Sequence, residues 1–279
     1  MPQQAQILAE LSEAAASGKK REIYAQLRRL SGVPMVALIF RHLATHPGLL
    51  EQTWTSIEPV LRSGMLQEAA LKIAEEHTSP GLMPAIDANA RKALELDDGT
   101  LRSVVNALDA YNRANPINLL TMLSLLKRVD TTTIAQPPAT QWTPPAPIPG
   151  PLSPMTAPAD MSPHIRRLIN DFGFGDRTQF DPIVPSLLRH LCGTPTLLAL
   201  LHVAFVPQFR DGTLAAAIAR LRHALAQEAE RLAPAIAPIP LLESAPQVRQ
   251  TIERFTGSWI PQMTIIGMAL RRALTGFAN

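Results

Sequence analysis

In this chain of 279 residues, the stretch PMVALIFRHLATHPGLLEQTWTSIEPVLRSGMLQEA (Pro34 to Ala69) recurs without a gap 148 positions later as PIVPSLLRHLCGTPTLLALLHVAFVPQFRDGTLAAA (Pro182 to Ala217). Thirteen of the 36 paired positions are identical, where unrelated segments of ordinary composition would share about two or three. Arg41 pairs with Arg189, His42 with His190, Pro47 with Pro195, Pro59 with Pro207, Arg62 with Arg210 and Gly64 with Gly212. Such a period requires two copies of one unit, each stacked against the other. Between the copies, ten of the chain's 26 prolines fall between Thr131 and Pro163. Proline has no N–H donor, so that segment cannot be helix interior or central strand and reads as an extended, semi-rigid connector. The expected division is a first repeat over 1–130, a proline-rich linker over 131–163 and a second repeat over 164–279.

Both copies read as helical. Apolar residues recur at spacings of three and four in LLEQTWTSIEPVL, LQEAALKIAEE and AAAIARLRHALAQEAERL, and no stretch shows the sustained alternation of a half-buried strand. The pairs His46-Pro47 and Thr194-Pro195 place proline at a first helical turn, Asp181-Pro182 supplies an N-cap before proline, and Gly64 and Gly212 suit a helix end. Pro116 to Arg128 and Pro261 to Ala273 match as the terminal helix of each copy. The fold class is therefore all-α, two helical halves forming a pseudo-dimer about a pseudo-twofold axis. A duplicated helical domain places its ligand between the halves, where departures from the repeat are informative. One departure is Asn115, which has the apolar Ile260 as its counterpart.

Composition excludes several classes of function. The single cysteine, Cys192, rules out an internal disulfide framework and a thiolate-rich zinc site, and suits a reducing compartment. Cys192 itself reads as a buried, inert thiol. The first residues lack the charged start and apolar core of a signal peptide, and the most apolar stretches, Val33 to Phe40 and Leu197 to Pro207, are too short to span a membrane. A cytoplasmic protein is expected. With a formal charge of +3 spread along the chain and only 5% aromatics, nucleic-acid binding is disfavoured. His42 and His46 have a zinc-compatible spacing but lack the glutamate of a metalloprotease, so packing is the simpler role and no metal site is expected. The Arg41-His42 and Arg189-His190 pairs read as structural elements inherited with the duplication; the alternative is that one arginine anchors a carboxylate between the halves.

The segments VPMVALIFRHLATHPGLL (Val33 to Leu50) and LDAYNRANPINLL (Leu108 to Leu120), with the duplication and the connector, resemble the group I 2-haloacid dehalogenases. The resemblance covers most of the chain and is strongest in the first half. It implies hydrolysis of the carbon–halogen bond of short 2-haloalkanoic acids, of both hands, by direct attack of water with no covalent ester and no cofactor. It implies that Asn115 holds the attacking water, although an N-cap in front of Pro116 would explain the same residue. It also implies an aspartate eight residues before Pro195, where this sequence has Leu187, preceded by a matching Ser186. Asp181 is the nearest substitute base, and its simpler reading is an N-cap. Met35, Ser63, Gln67, Ser186 and Leu187 are the implied substrate-binding positions, with Gln67 standing where the family has a carboxylate. The alternative is a non-catalytic relative that binds a small carboxylate or apolar metabolite between the halves. A different hydrolytic or lyase reaction in the same cavity is a weaker third reading. The partner is a small molecule, with no membrane and no nucleic acid, and a homodimer is left open.

Overall fold

The computed structural model describes residues 8–78, 81–129, 136, 142–150, 152–172, 183–243 and 245–275. Its elements run α1 (Gly18–Ser31), α2 (Leu38–Leu43), α3 (Leu49–Ser63), α4 (Met65–His77), α5 (Ala88–Ala93), α6 (Asp98–Leu126), α7 (Pro163–Asn170), α8 (Ser186–Leu191), α9 (Pro195–Arg210), α10 (Thr213–Leu232), α11 (Pro240–Glu243), α12 (Pro246–Arg254) and α13 (Ile260–Thr275). The protein is all helical, with no strand among the described residues.

The repeat-paired segments build the same elements in the same order. LIFRHL forms α2 and SLLRHL forms α8, each six residues long and separated by the offset of the sequence repeat. Each is followed by a longer helix with an internal proline, Pro59 in α3 and Pro207 in α9. Gly64 and Gly212 then take the left-handed conformation, at φ of 79° and 84°, and start α4 and α10. A side chain other than glycine is strained there. At Gly64 an added Cβ would also strike the Trp142 indole, which seals the connector against the α3–α4 corner. The connector is held further by Arg113 Nη1, which donates to the carbonyls of Gly32 (2.8 Å) and Ala146 (2.9 Å).

Prolines behave differently from expectation at three places. Pro47 precedes α3 rather than opening it, because Gly48 is the N-cap, whereas Pro195 does open α9. Pro116 does not start a helix at all. It lies inside α6, whose start is fixed 18 residues earlier by Asp97, the carboxylate accepting from Thr100 N at 2.7 Å. Without an N–H, Pro116 leaves the carbonyl of Asn112 without its helical partner. On the other side, α12 runs into α13 through a π-helical turn at Phe255–Trp259, just before Pro261. The wider turn absorbs the proline within one continuous helical run.

The two long helices pack along each other and make the centre of the molecule. Gly267 of α13 sits where an added Cβ would collide with Asn112 Oδ1 and touch Leu187 Cδ2 at 3.4 Å. The missing side chain thus lets the two backbones approach, and Asn112 Nδ2 donates to Gly267 O at 3.1 Å. Arg271 Nε adds an ion pair with Asp109 Oδ1 at 2.6 Å. Around this contact the buried side chains form one continuous apolar core, including Leu108, Leu119, Leu120, Ile265 and Leu270.

Candidate functional site

A cavity of about 50 Å³ lies where the first turns of α2 and α8 meet the middle of α6 and the start of α13. At roughly 10–15 Å³ per water, it holds a few waters or a small organic molecule. Its wall repeats itself. Ala37, Leu38 and Ile39 line one side, and the residues 148 positions on, Pro185, Ser186 and Leu187, line another. Asn115 and Asn118 face the cavity from α6, and Ile260 and Met263, their counterparts in the matched terminal helices, from α13.

Those pairs show how the cavity becomes one-sided. Leu38 has Ser186 opposite, Asn115 has Ile260, and Asn118 has Met263. The polar groups therefore come from α6 and the tip of α8, while α2 and α13 contribute hydrocarbon, joined by Phe255, Trp259 and Ile183. No Asp, Glu, Lys, Arg or His is among the described lining residues.

Asn115 stands one residue before Pro116 in the interior of α6, so the N-cap reading does not hold. Its Nδ2 is buried without a hydrogen-bond partner among the described residues. An unpaired buried amide N–H₂ is costly unless something accepts from it. Tyr111, one turn earlier, also lines the cavity. Burial pushes its phenol up to about 12, against the pull of the nearby Arg41 and Arg189 charges, so it stays protonated, and its hydroxyl donates to Met155 Sδ at 3.9 Å.

The sequence-derived positions separate. Asn115, Ser186 and Leu187 line the cavity. Met35 and Ser63 are buried but are not among its lining residues, and the Ser63 hydroxyl donates to Val60 O at 2.7 Å. Gln67 faces a different recess, beside Arg113 and Trp142, with Nε2 donating to Leu61 O at 2.8 Å and Leu30 O at 3.2 Å. Asp181 lies outside the described residues. Tyr111, Asn118 and Trp259 were not singled out as site residues by sequence reasoning. For Asn118 the signal existed, because the repeat pairs it with a methionine just as it pairs Asn115 with isoleucine.

Behind Ser186 lies a charged cluster. Arg41 and Arg189 are both buried, and both bind the carboxylate of Glu10. Arg41 Nε reaches Oε2 at 2.7 Å, and Arg189 Nη1 reaches Oε1 at 2.8 Å. Burial works against the Glu10 charge, but the two guanidiniums outweigh it and hold the carboxyl below its usual range. Arg41 also donates from Nη1 to Val36 O at 2.6 Å and from Nη2 to Ser186 Oγ at 3.3 Å. So the paired arginines do bind a carboxylate, one supplied by the chain itself. His42 Nδ1 meets Ala9 O at 2.8 Å and its ring packs edge-on to His46. Cys192 is half-buried, its thiol donates to Leu188 O, and burial pushes its pKa up, away from the reactive thiolate. Among the described residues no group of three or more potential metal ligands occurs, and no helix is long and apolar enough to cross a membrane.

No family model matches the chain. Over 117 residues, 42% of this chain and 39% of the relative, it is 32% identical to a configuration-inverting 2-haloacid dehalogenase of Alcaligenes xylosoxydans xylosoxydans. The match thus spans well under half of that protein. Among solved structures, the chain is similar to a D-2-haloacid dehalogenase mutant (TM-score 0.77, 15% identity, 97% of each chain). It is also similar to a D-2-haloacid dehalogenase mutant in complex with D-2-CPA (TM-score 0.74, 16% identity, 96% of each chain), and to a D-2-haloacid dehalogenase in complex with L-LA (TM-score 0.75, 17% identity, 97% of each chain). In sequence over those 117 residues the chain is similar to a 2-haloacid dehalogenase, and over nearly its whole length it shares the fold of the solved D-2-haloacid dehalogenases.

Proposed function

We propose that this protein hydrolyses short 2-haloalkanoic acids in the cavity between α2, α6, α8 and α13. The observation that carries the reading is Asn115, a cavity-lining amide with a buried Nδ2 that lacks a partner among the described residues. An amide so placed holds a water against the α-carbon. A base takes one proton from that water, its oxygen forms the new C–O bond, and the halide leaves with the electrons of the C–X bond. Positioning matters here because bulk water is a weak nucleophile, and a fixed attack geometry removes much of the entropic cost. We assign the base to Asp181, two residues before the cavity-lining Ile183. The same proposal divides the chain into a first repeat over 1–130, a linker over 131–163 and a second repeat over 164–279, in keeping with the matched elements. It places the protein in the cytoplasm, which suits its single thiol.

A second reading rests on Leu187. This residue lines the cavity at the place where the resemblance calls for an aspartate, and no carboxylate stands among the described lining residues. On that reading the protein binds a small carboxylate or apolar metabolite without turning it over. Halide release from both enantiomers of 2-chloropropionate separates the two. Release by wild type that is lost in Asp181→Asn supports hydrolysis; no release by wild type, with activity gained by Leu187→Asp, supports the binder.

A further inference from the structure

A cavity with no positive charge among its described lining residues is a poor host for a carboxylate, since an anion moved out of water needs a compensating charge. A buried positive charge stands one residue behind that wall. Arg41, almost fully buried, donates Nη2 to Ser186 Oγ, and Ser186 lines the cavity. A serine hydroxyl that accepts from a guanidinium keeps its own O–H for donation. Tyr111, the other hydroxyl of the wall, interacts with Ser186 as well.

The charge count of this cluster is uneven. Arg41 and Arg189, equivalent positions of the repeat, contribute two positive charges, and Glu10 contributes one negative. Glu13, the next acid, is already paired with Arg28. Among the described residues the cluster therefore carries a net positive charge directly behind the hydroxyl pair. The wall feels this cluster: the Tyr111 phenol, pushed up chiefly by burial, is pulled back by both Arg41 and Arg189, with Glu13 opposing them more weakly. Glu10 is held in place by its own segment, in which Leu11 N donates to Arg41 O at 2.9 Å and Tyr24 OH donates to Leu11 O at 3.1 Å.

We infer that Arg41, acting through Ser186, is the positioning residue that makes the cavity select carboxylates over neutral ligands of the same shape, and that Glu10 sets the strength of that selection by cancelling half of the twin-arginine charge. The inference rests on the proposed function for its ligand class, but it is tested by binding alone.

The test titrates the intact protein with propionate and with propionamide, a neutral ligand of nearly the same shape, following the heat of binding. Wild type binds propionate at least about tenfold more tightly than propionamide, a difference of one decade in Kd. Arg41→Gln removes the preference and Arg41→Lys keeps part of it, while Glu10→Gln tightens propionate and leaves propionamide unchanged. Thermal melting establishes that each variant is folded. If Arg41→Gln fails to fold, Arg41→Lys and Glu10→Gln decide. Equal affinity of wild type for the two ligands overturns the inference, as does a propionate preference unmoved by folded Arg41 and Glu10 variants. A protein that prefers propionate but releases no halide refutes the hydrolysis reading alone.

Discussion

Asn115 and His190 show how a single side chain reports on its surroundings. With Nδ2 of Asn115 buried and unpaired, Asn115→Ala removes an orphan donor rather than a structural bond, so the fold should survive. The expected result is a melting temperature near that of wild type and a kcat reduced by about 100-fold, the usual cost of a misplaced reactant. An equal loss of both would mark Asn115 as structural. His190 is repeat-equivalent to His42, and burial drives its pKa down to about 4, with Arg189 and Arg41 adding to the effect against a hydrogen bond from the ring to the Ser153 backbone carbonyl. The unfolded ring takes up its proton near the ordinary 6.5 and the folded ring only near 4. The associated stability is therefore whole above pH 6.5 and is lost as the pH falls towards 4. His42, also lowered chiefly by burial, acts in the same direction. Melting curves at pH 7.0 and 4.5 should show a smaller drop for His190→Gln than for wild type; parallel drops would contradict it. At this scale the sequence was legible where the repeat broke symmetry, as at Asn115 against Ile260. It was silent about Glu10, which lies outside the repeated segment and meets Arg189 from 179 positions away.

The element that decides the site is the pairing of α6 with α13. From sequence, Pro116 and Pro261 read as matched helix starts, since proline suits a first turn. The structure puts both inside longer helical runs, because the caps that set those runs, such as Asp97 for α6, lie many residues upstream. That shift turns Tyr111 and Asn115 from loop residues into neighbours on one helical face, which is what brings them to the same cavity. The crossing itself depends on Gly267. Gly267→Ala should cost about 1–2 kcal/mol, the range for an overpacked core, because its Cβ strikes Asn112 Oδ1. Since the obstacle is one side chain, the penalty should shrink in an Asn112→Ala background. Urea melts of the four proteins in that cycle measure the coupling, and strictly additive losses would show that the close approach is set elsewhere. Other elements were plain from the pattern alone, notably α4, α10 and the Gly64 and Gly212 turns, where periodicity and a required positive φ point the same way.

Across the whole molecule, the sequence repeat accounts for both the apolar character of the cavity and its small set of polar groups. Two copies bring equivalent positions together at their contact, and substitutions in only one copy then give the cavity a wet side and a dry side. This was visible in outline from the sequence because the offset of 148 is free of gaps. The route of the connector was not, since Trp142 against Gly64 and Arg113 against Ala146 are contacts that no local pattern encodes. The most direct test of the account is chloride release from each enantiomer of 2-chloropropionate by the purified wild-type chain, with the configuration of the 2-hydroxypropionate determined. Direct attack of a water held by Asn115 predicts chloride from both enantiomers, in step with hydroxy acid of inverted configuration. Failure to release chloride from either would contradict it.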